Sequence, residues 1–154
     1  MSKFVYKFEN LLNIKEKLEE QKKLIYSDKL QQYSLEEQVL LKLHKKRSNY
    51  EKQFKDNIAI CLKAQELKGY YYHIEALKGL CEEQENVLKK VKQQMEDALE
   101  DMNNAMIDRK TFERLREKAE LHYIKEFKRE ENKEIDEIIS YRFRPNNGEV
   151  NYGK

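Results

Sequence analysis

The side chains with the widest chemical reach are three histidines, His44, His73 and His122, and two cysteines, Cys61 and Cys81. A metal site needs such ligands at short, paired spacings along the chain. Here no histidine pairs with another or with a cysteine, and the cysteines lack CxxC spacing. The histidines read as structural or exposed. Cys61 and Cys81 read as buried thiols on a helix seam, in a reducing compartment, rather than as a disulfide or metal ligands. Gly69 and Gly79 do not build a loop that could cradle phosphate. Carboxylates are abundant, but on a solvated helix their pairing is no sign of acid–base catalysis. The expectation is a chain with no enzyme activity, no cofactor and no metal.

The elements that would position these residues are helical almost without interruption. From Ser2 to Arg144 there is no proline, and only Gly69 and Gly79 break the run. The single proline, Pro145, comes where the charged pattern stops. Charged residues make up 39% of the chain and hydrophobic ones 39%, too few of the latter for an ordinary globular core. Long helices that bury one narrow seam fit that composition. Disorder competes for any charge-rich chain, but the regular apolar spacing opposes it.

Lys and Arg number 31 against 29 Asp and Glu, with the signs interleaved. A nucleic-acid binder would show a basic stripe, so none is expected as a partner. The interleaving suits ion-paired helix surfaces, as in Glu19 with Lys23 and Glu85 with Lys89. No apolar run has the length of a membrane span, and the opening MSKFVYKFENLL has no signal-peptide core. A cytoplasmic protein without direct membrane insertion is expected.

The second half carries the cleaner period. Leu88, Val91, Met95, Ala98, Met102 and Ala105 step by alternating threes and fours. The register runs back through Gln84, Cys81 and Leu77, and forward through Arg109, Phe112, Ala119 and Tyr123. This is the seam of a left-handed coiled coil. The first half reads as two runs. One is Leu11, Ile14, Leu18 and Ile25. The other runs from Tyr26 through Leu30, Tyr33, Leu40, Arg47, Tyr50, Phe54 and Ile58 to Cys61. A stutter near Ile25 and Tyr26 would join them.

Two seam-bearing halves in one chain predict an antiparallel hairpin. Its turn falls between residues 57 and 69. Asn57 could end the first helix in a left-handed conformation, or Gly69 could cap it. After Phe143 the sequence RPNNGEVNYGK predicts a flexible tail.

Tyr70, Tyr71 and Tyr72 point three ways on a helix, so at least one must face solvent. They could pack the tip or contact a partner protein. Ile74, Leu77, Leu80 and Cys81 form an apolar stripe wider than a seam needs. Ile135, Ile138 and Ile139 share another face. They could pair with Phe4, Phe8 and Leu11, or be presented to another protein.

At these residues the chain resembles the flagellar export protein family FliJ and its YscO-type relatives in virulence secretion. FVYKFENLLNIKEKLEEQ (4–21) is similar to the family's aromatic start and charged helix. ELKGYYYHIEALKGLCEEQ (66–84) is similar to its second helix start. In the segment 114–143, Leu115, Lys118, Tyr123, Lys133, Glu134, Asp136, Glu137, Arg142 and Phe143 follow the family's order.

The resemblance implies an all-α fold, a long two-helix antiparallel coiled coil shaped like the central stalk of rotary ATPases. It places helix one at about 3–57, the turn at about 57–64 and helix two at about 65–143. Residues 1–144 would be one domain, and 145–154 a tail. It implies a soluble stalk of the bacterial flagellar type III export apparatus, located in the cytoplasm at the inner face of the cell membrane. The partners implied are the hexameric export ATPase, the cytoplasmic domain of the export gate, and export chaperones. The gate-binding face would fall on Leu43, Tyr50, His73, Leu77, Leu80 and Gln84. His73 stands where the family often has Phe or Tyr, and Leu80 replaces a smaller residue. The ring-binding end would use Arg129, Lys133 and Arg142.

The free protein is expected to be a monomeric hairpin that self-associates at high concentration through its exposed apolar stripe. The rival expectation is a generic structural coiled coil, either a chaperone-like hairpin or a parallel rod dimer. Mass separates a monomer of 18.8 kDa from a dimer.

Overall fold

The computed structural model describes residues 3–60 and 63–144. The expectations for Cys61 and for the tail at 145–154 lie outside those residues. Two helices account for nearly all of the rest: α1, Glu9–Ile58, and α2, Ala64–Arg142. They pack antiparallel as a coiled-coil hairpin, with no strand among the described residues. Their ends carry charges that complement the helix dipoles: Glu9 and Lys55 on α1, Glu66 and Arg142 on α2. Phe143 closes the last turn of α2, its N–H bonding the Ile139 carbonyl at 3.0 Å. Arg144 precedes a proline, which disfavours helical backbone there.

Helix one begins six residues later than the expected residue 3, at Glu9. The reason lies in two aromatics. On a helix, Phe4 and Tyr6 would point to nearly opposite sides. In the observed non-helical stretch both reach α2. Phe4 lies 5.5 Å from the Tyr123 ring, and the Tyr6 hydroxyl donates to the Phe112 carbonyl at 3.4 Å. Tyr6 is buried.

Asn57 does not end α1 as a left-handed residue. It is helical, and its amide donates to the Tyr70 hydroxyl at 2.7 Å. It thereby fastens the end of one helix to the start of the other. Gly69 is no cap either, because α2 runs through it and through Gly79.

The chain packs as two units. One is Lys15–Asp108; the other joins Met1–Ile14 to Arg109–Lys154.

In the Lys15–Asp108 unit, α1 turns one row of residues inward without a slip. Lys15, Glu19, Lys22, Tyr26, Lys29, Tyr33 and Glu36 are all buried or half-buried. The row continues through Leu40, Leu43, Arg47, Tyr50, Phe54 and Asn57, again in threes and fours. This corrects the expected stutter. Ile25 and Leu30 lie outside the row, 47% and 44% exposed, as does Ile14 in the other unit at 59%. The expected break arose because charged side chains occupy seam positions; their aliphatic stems cover apolar surface while the heads reach water.

The facing row on α2 is Leu77, Cys81, Gln84, Leu88, Val91, Met95, Ala98, Met102 and Ala105. Of these, Leu77, Cys81, Ala98 and Ala105 are buried. The core is therefore thin, and each fully buried leucine contributes roughly 1.5–3 kcal/mol.

Polar contacts fix the register of this unit. Lys15 meets Asp108 at 3.3 Å, Lys22 meets Asp101 at 3.7 Å, and Lys29 donates to Gln94 at 3.2 Å. The residue numbers rise by seven on α1 and fall by seven on α2. Asp108 and Asp101 are more than half exposed. Each such pair contributes at most about 1 kcal/mol, so the ladder selects alignment more than it adds stability.

A methyl group built on Gly79 meets no atom within 4 Å. Gly79→Ala should therefore raise unfolding stability by roughly 0.5–1 kcal/mol, read from urea denaturation followed by circular dichroism. A lower midpoint would contradict a helix running through that position.

Candidate functional site

Side by side in the Lys15–Asp108 unit, the same register that pairs lysines with acids changes character towards the turn. Tyr50 and His73 continue the ladder, their rings stacked at 5.6 Å and 19°. The intervening steps set Glu36 across from Val87 and Leu43 across from Leu80. One flank of the hairpin is thus ionic at Lys15, Lys22 and Lys29, then apolar and aromatic from Val87 to Tyr50.

The residues expected to form one binding face divide by burial. Leu77 is 6% exposed and belongs to the seam. Gln84 is half-buried and donates from its amide to the Glu36 carbonyl at 3.1 Å, and also to the Glu36 carboxylate. Leu43 and Tyr50 are half-buried. Leu80 and His73 are exposed. A partner would therefore meet Leu80 and His73 first, with Leu43 and Tyr50 behind them. Val39 and Val87, both exposed, extend this apolar flank. Sequence reasoning missed them, although Val87 follows Leu80 by one heptad.

The three tyrosines separate as helix geometry requires. Tyr70 turns inward, 6.2 Å from the Phe54 ring. Tyr71 and Tyr72 are exposed, with their rings edge to face.

The second surface lies in the unit that joins Met1–Ile14 to Arg109–Lys154. Here Leu12 is buried, and Arg116 meets Glu9 at 3.4 Å. Phe4 packs on Tyr123, which stacks on Phe127 at 6.4 Å. Beyond Phe127 every residue of α2 is exposed. Ile135, Ile138 and Ile139 do not pair with Phe4, Phe8 and Leu11. Phe4 is taken by Tyr123, and the Phe8 ring lies edge-on to Tyr6. All three isoleucines are about half exposed. Arg129, Lys133 and Arg142 project from this same stretch, and Arg129 has Glu126 at 3.8 Å.

Among the described residues, no group of His, Cys, Asp and Glu could hold a metal ion. No helix among them is long and apolar enough to cross a membrane. Two surfaces stand open: an apolar–aromatic flank, and a charged helix end with apolar side chains between its charges.

Burial makes a sharp distinction between neighbours on α2. Leu77→Asp should cost more than about 3 kcal/mol in thermal or urea unfolding, because it buries a charge. Leu80→Asp should change stability by less than about 0.5 kcal/mol. Equal losses for both would contradict the observed seam.

A family model described as Flagellar FliJ protein matches residues 3–148. No curated protein and no solved structure matches the chain.

Proposed function

The chain belongs to the flagellar FliJ protein family, and from that premise we propose that it is a stalk and adaptor of the type III export apparatus. Family membership implies a component of the flagellar export machinery, in a structural and export family rather than an enzyme family. The finer reading assigns each surface a partner. The α2 end bearing Arg129, Lys133 and Arg142 engages the hexameric export ATPase. The flank of Leu43, Tyr50, His73 and Leu80 engages the cytoplasmic domain of the export gate, with Leu77 and Gln84 supporting it from the seam. The protein helps deliver chaperone-bound substrates between them, peripheral to the inner face of the cell membrane.

The observation that carries this reading is the bare end of α2. Residues 128–144 are exposed throughout, and charged groups dominate their surface. Contacts made by flexible surface cations are weak, adjustable and salt-sensitive, which suits a ring that passes through several states. On the flank, apolar side chains that remain half exposed supply area for a partner without unpacking the seam.

Reversing Arg129, Lys133 and Arg142 to Glu should weaken co-sedimentation with the export ATPase by about tenfold or more at low salt. Unchanged binding would sink the ring assignment. On the other surface, Leu80→Asp should lower affinity for the gate's cytoplasmic domain by about tenfold while helicity is retained. Full gate affinity in that variant would move the contact elsewhere.

A further inference from the structure

The outer side of α2 carries a second stripe that the hairpin does not use. Leu121, Ile124, Ile135 and Ile138 are 59%, 42%, 48% and 55% exposed. With Lys128, Glu131 and Arg142 between and after them, they step by threes and fours. The stripe sits roughly 100° around the helix from Tyr123, the residue that faces Phe4. It is therefore open while the intramolecular contact is made. We propose that this stripe pairs with the same stripe of a second copy of the chain, antiparallel and about a two-fold axis.

The occupant follows from the order of residue types. The axis falls between Arg129 and Glu130. Leu121 then meets Ile138 of the other copy, and Ile124 meets Ile135. Lys128 meets Glu131, and Glu117 meets Arg142. Symmetry repeats every layer, because such an interface is isologous. Apolar residues meet apolar residues in every case, and cations meet anions.

Neighbouring registers lack this match. A slip of one heptad in one direction sets Leu121 against Glu131 and Ile124 against Lys128. A slip in the other sets Ile124 against Arg142 and Lys128 against Ile138. Parallel pairing would oppose Lys128 to Lys128, Glu131 to Glu131 and Arg142 to Arg142, which like-charge repulsion disfavours. One alignment is selected both by attraction and by the cost of the others.

With four apolar residues per copy the pair is weak. It should be half formed near roughly 10 µM, so the chain is monomeric when dilute. The pairing stands independently of the ring assignment. If that assignment also holds, the pair covers Arg142 and competes with ring engagement.

Sedimentation velocity on the full chain, from about 1 to about 200 µM at low salt, tests this. The mass should rise from 18.8 kDa towards twice that value. Ile135→Asp should raise the dissociation constant at least tenfold, with unchanged helicity because the position is exposed. Lys128→Glu and Glu131→Lys should each weaken the pair about tenfold, and the double swap should restore it. A monomer across the whole range would overturn the proposal. So would a dimer indifferent to Ile135→Asp, or a double swap no better than the single changes. None of these substitutions alters Arg129, Lys133 or Arg142.

Discussion

In the Lys15–Asp108 unit everything depends on one narrow seam that must align the two helices with little apolar material. The buried residues there are few, and two of them are alanines, Ala98 and Ala105. So thin a core cannot by itself distinguish one heptad alignment from the next, since a slip of seven would still bring apolar residues together. The distinction comes from position-specific polar pairs. Lys15 with Asp108, Lys22 with Asp101 and Lys29 with Gln94 recur at heptad intervals. Asn57 with Tyr70 fastens the turn end. Alignment in turn decides which side chains stay outside, and those side chains are the surfaces available to partners.

That dependence explains what the sequence made legible. The α2 row from Leu77 to Ala105 stood out because apolar residues occupy most of its positions. The α1 row did not, because Lys15, Glu19, Lys22 and Lys29 hold its inward positions while Ile14 and Ile25 lie outside. The apolar residues alone start on a neighbouring row, at Ile14 and Ile25, and reach the inner row only at Tyr26, and that change looked like a stutter. Charged residues with long stems can fill a seam, so hydrophobic spacing is a weaker guide there than on α2. The late start of α1 was hidden for a different reason. Phe4 and Tyr6 are compatible with helix locally, and only their tertiary contacts with Tyr123 and Phe112 pull them out of it.

The candidate surfaces were legible in part. Three consecutive tyrosines required that at least one face solvent, and the stripe of Ile74, Leu77, Leu80 and Cys81 was wider than one seam; which of them lie outside, Tyr71, Tyr72 and Leu80, came from the packing. That Leu77 and Gln84 support the flank from within, rather than offering themselves to a partner, required the facing helix. The face formed by Ile135, Ile138 and Ile139 was visible, but that no partner covers it among the described residues was not. Where α1 begins, and where Phe4 goes, decides that. Among the described residues the apolar side chains of this helix end stay exposed, and exposed apolar patches of this kind are surfaces for interaction.

The seam makes the paired segments firm, and among the described residues the end of α2 beyond Phe127 has no such support. Residue-resolved hydrogen exchange, at a dilution where the chain is monomeric, measures this directly. Amides of α2 between Leu77 and Ala105 should exchange slowest, and protection should fall steeply beyond Phe127, since an unsupported helix of that length frays. Protection from Lys128 to Arg142 equal to that of the Leu77–Ala105 stretch would contradict an unsupported end, because it would require a partner for that end within the same chain.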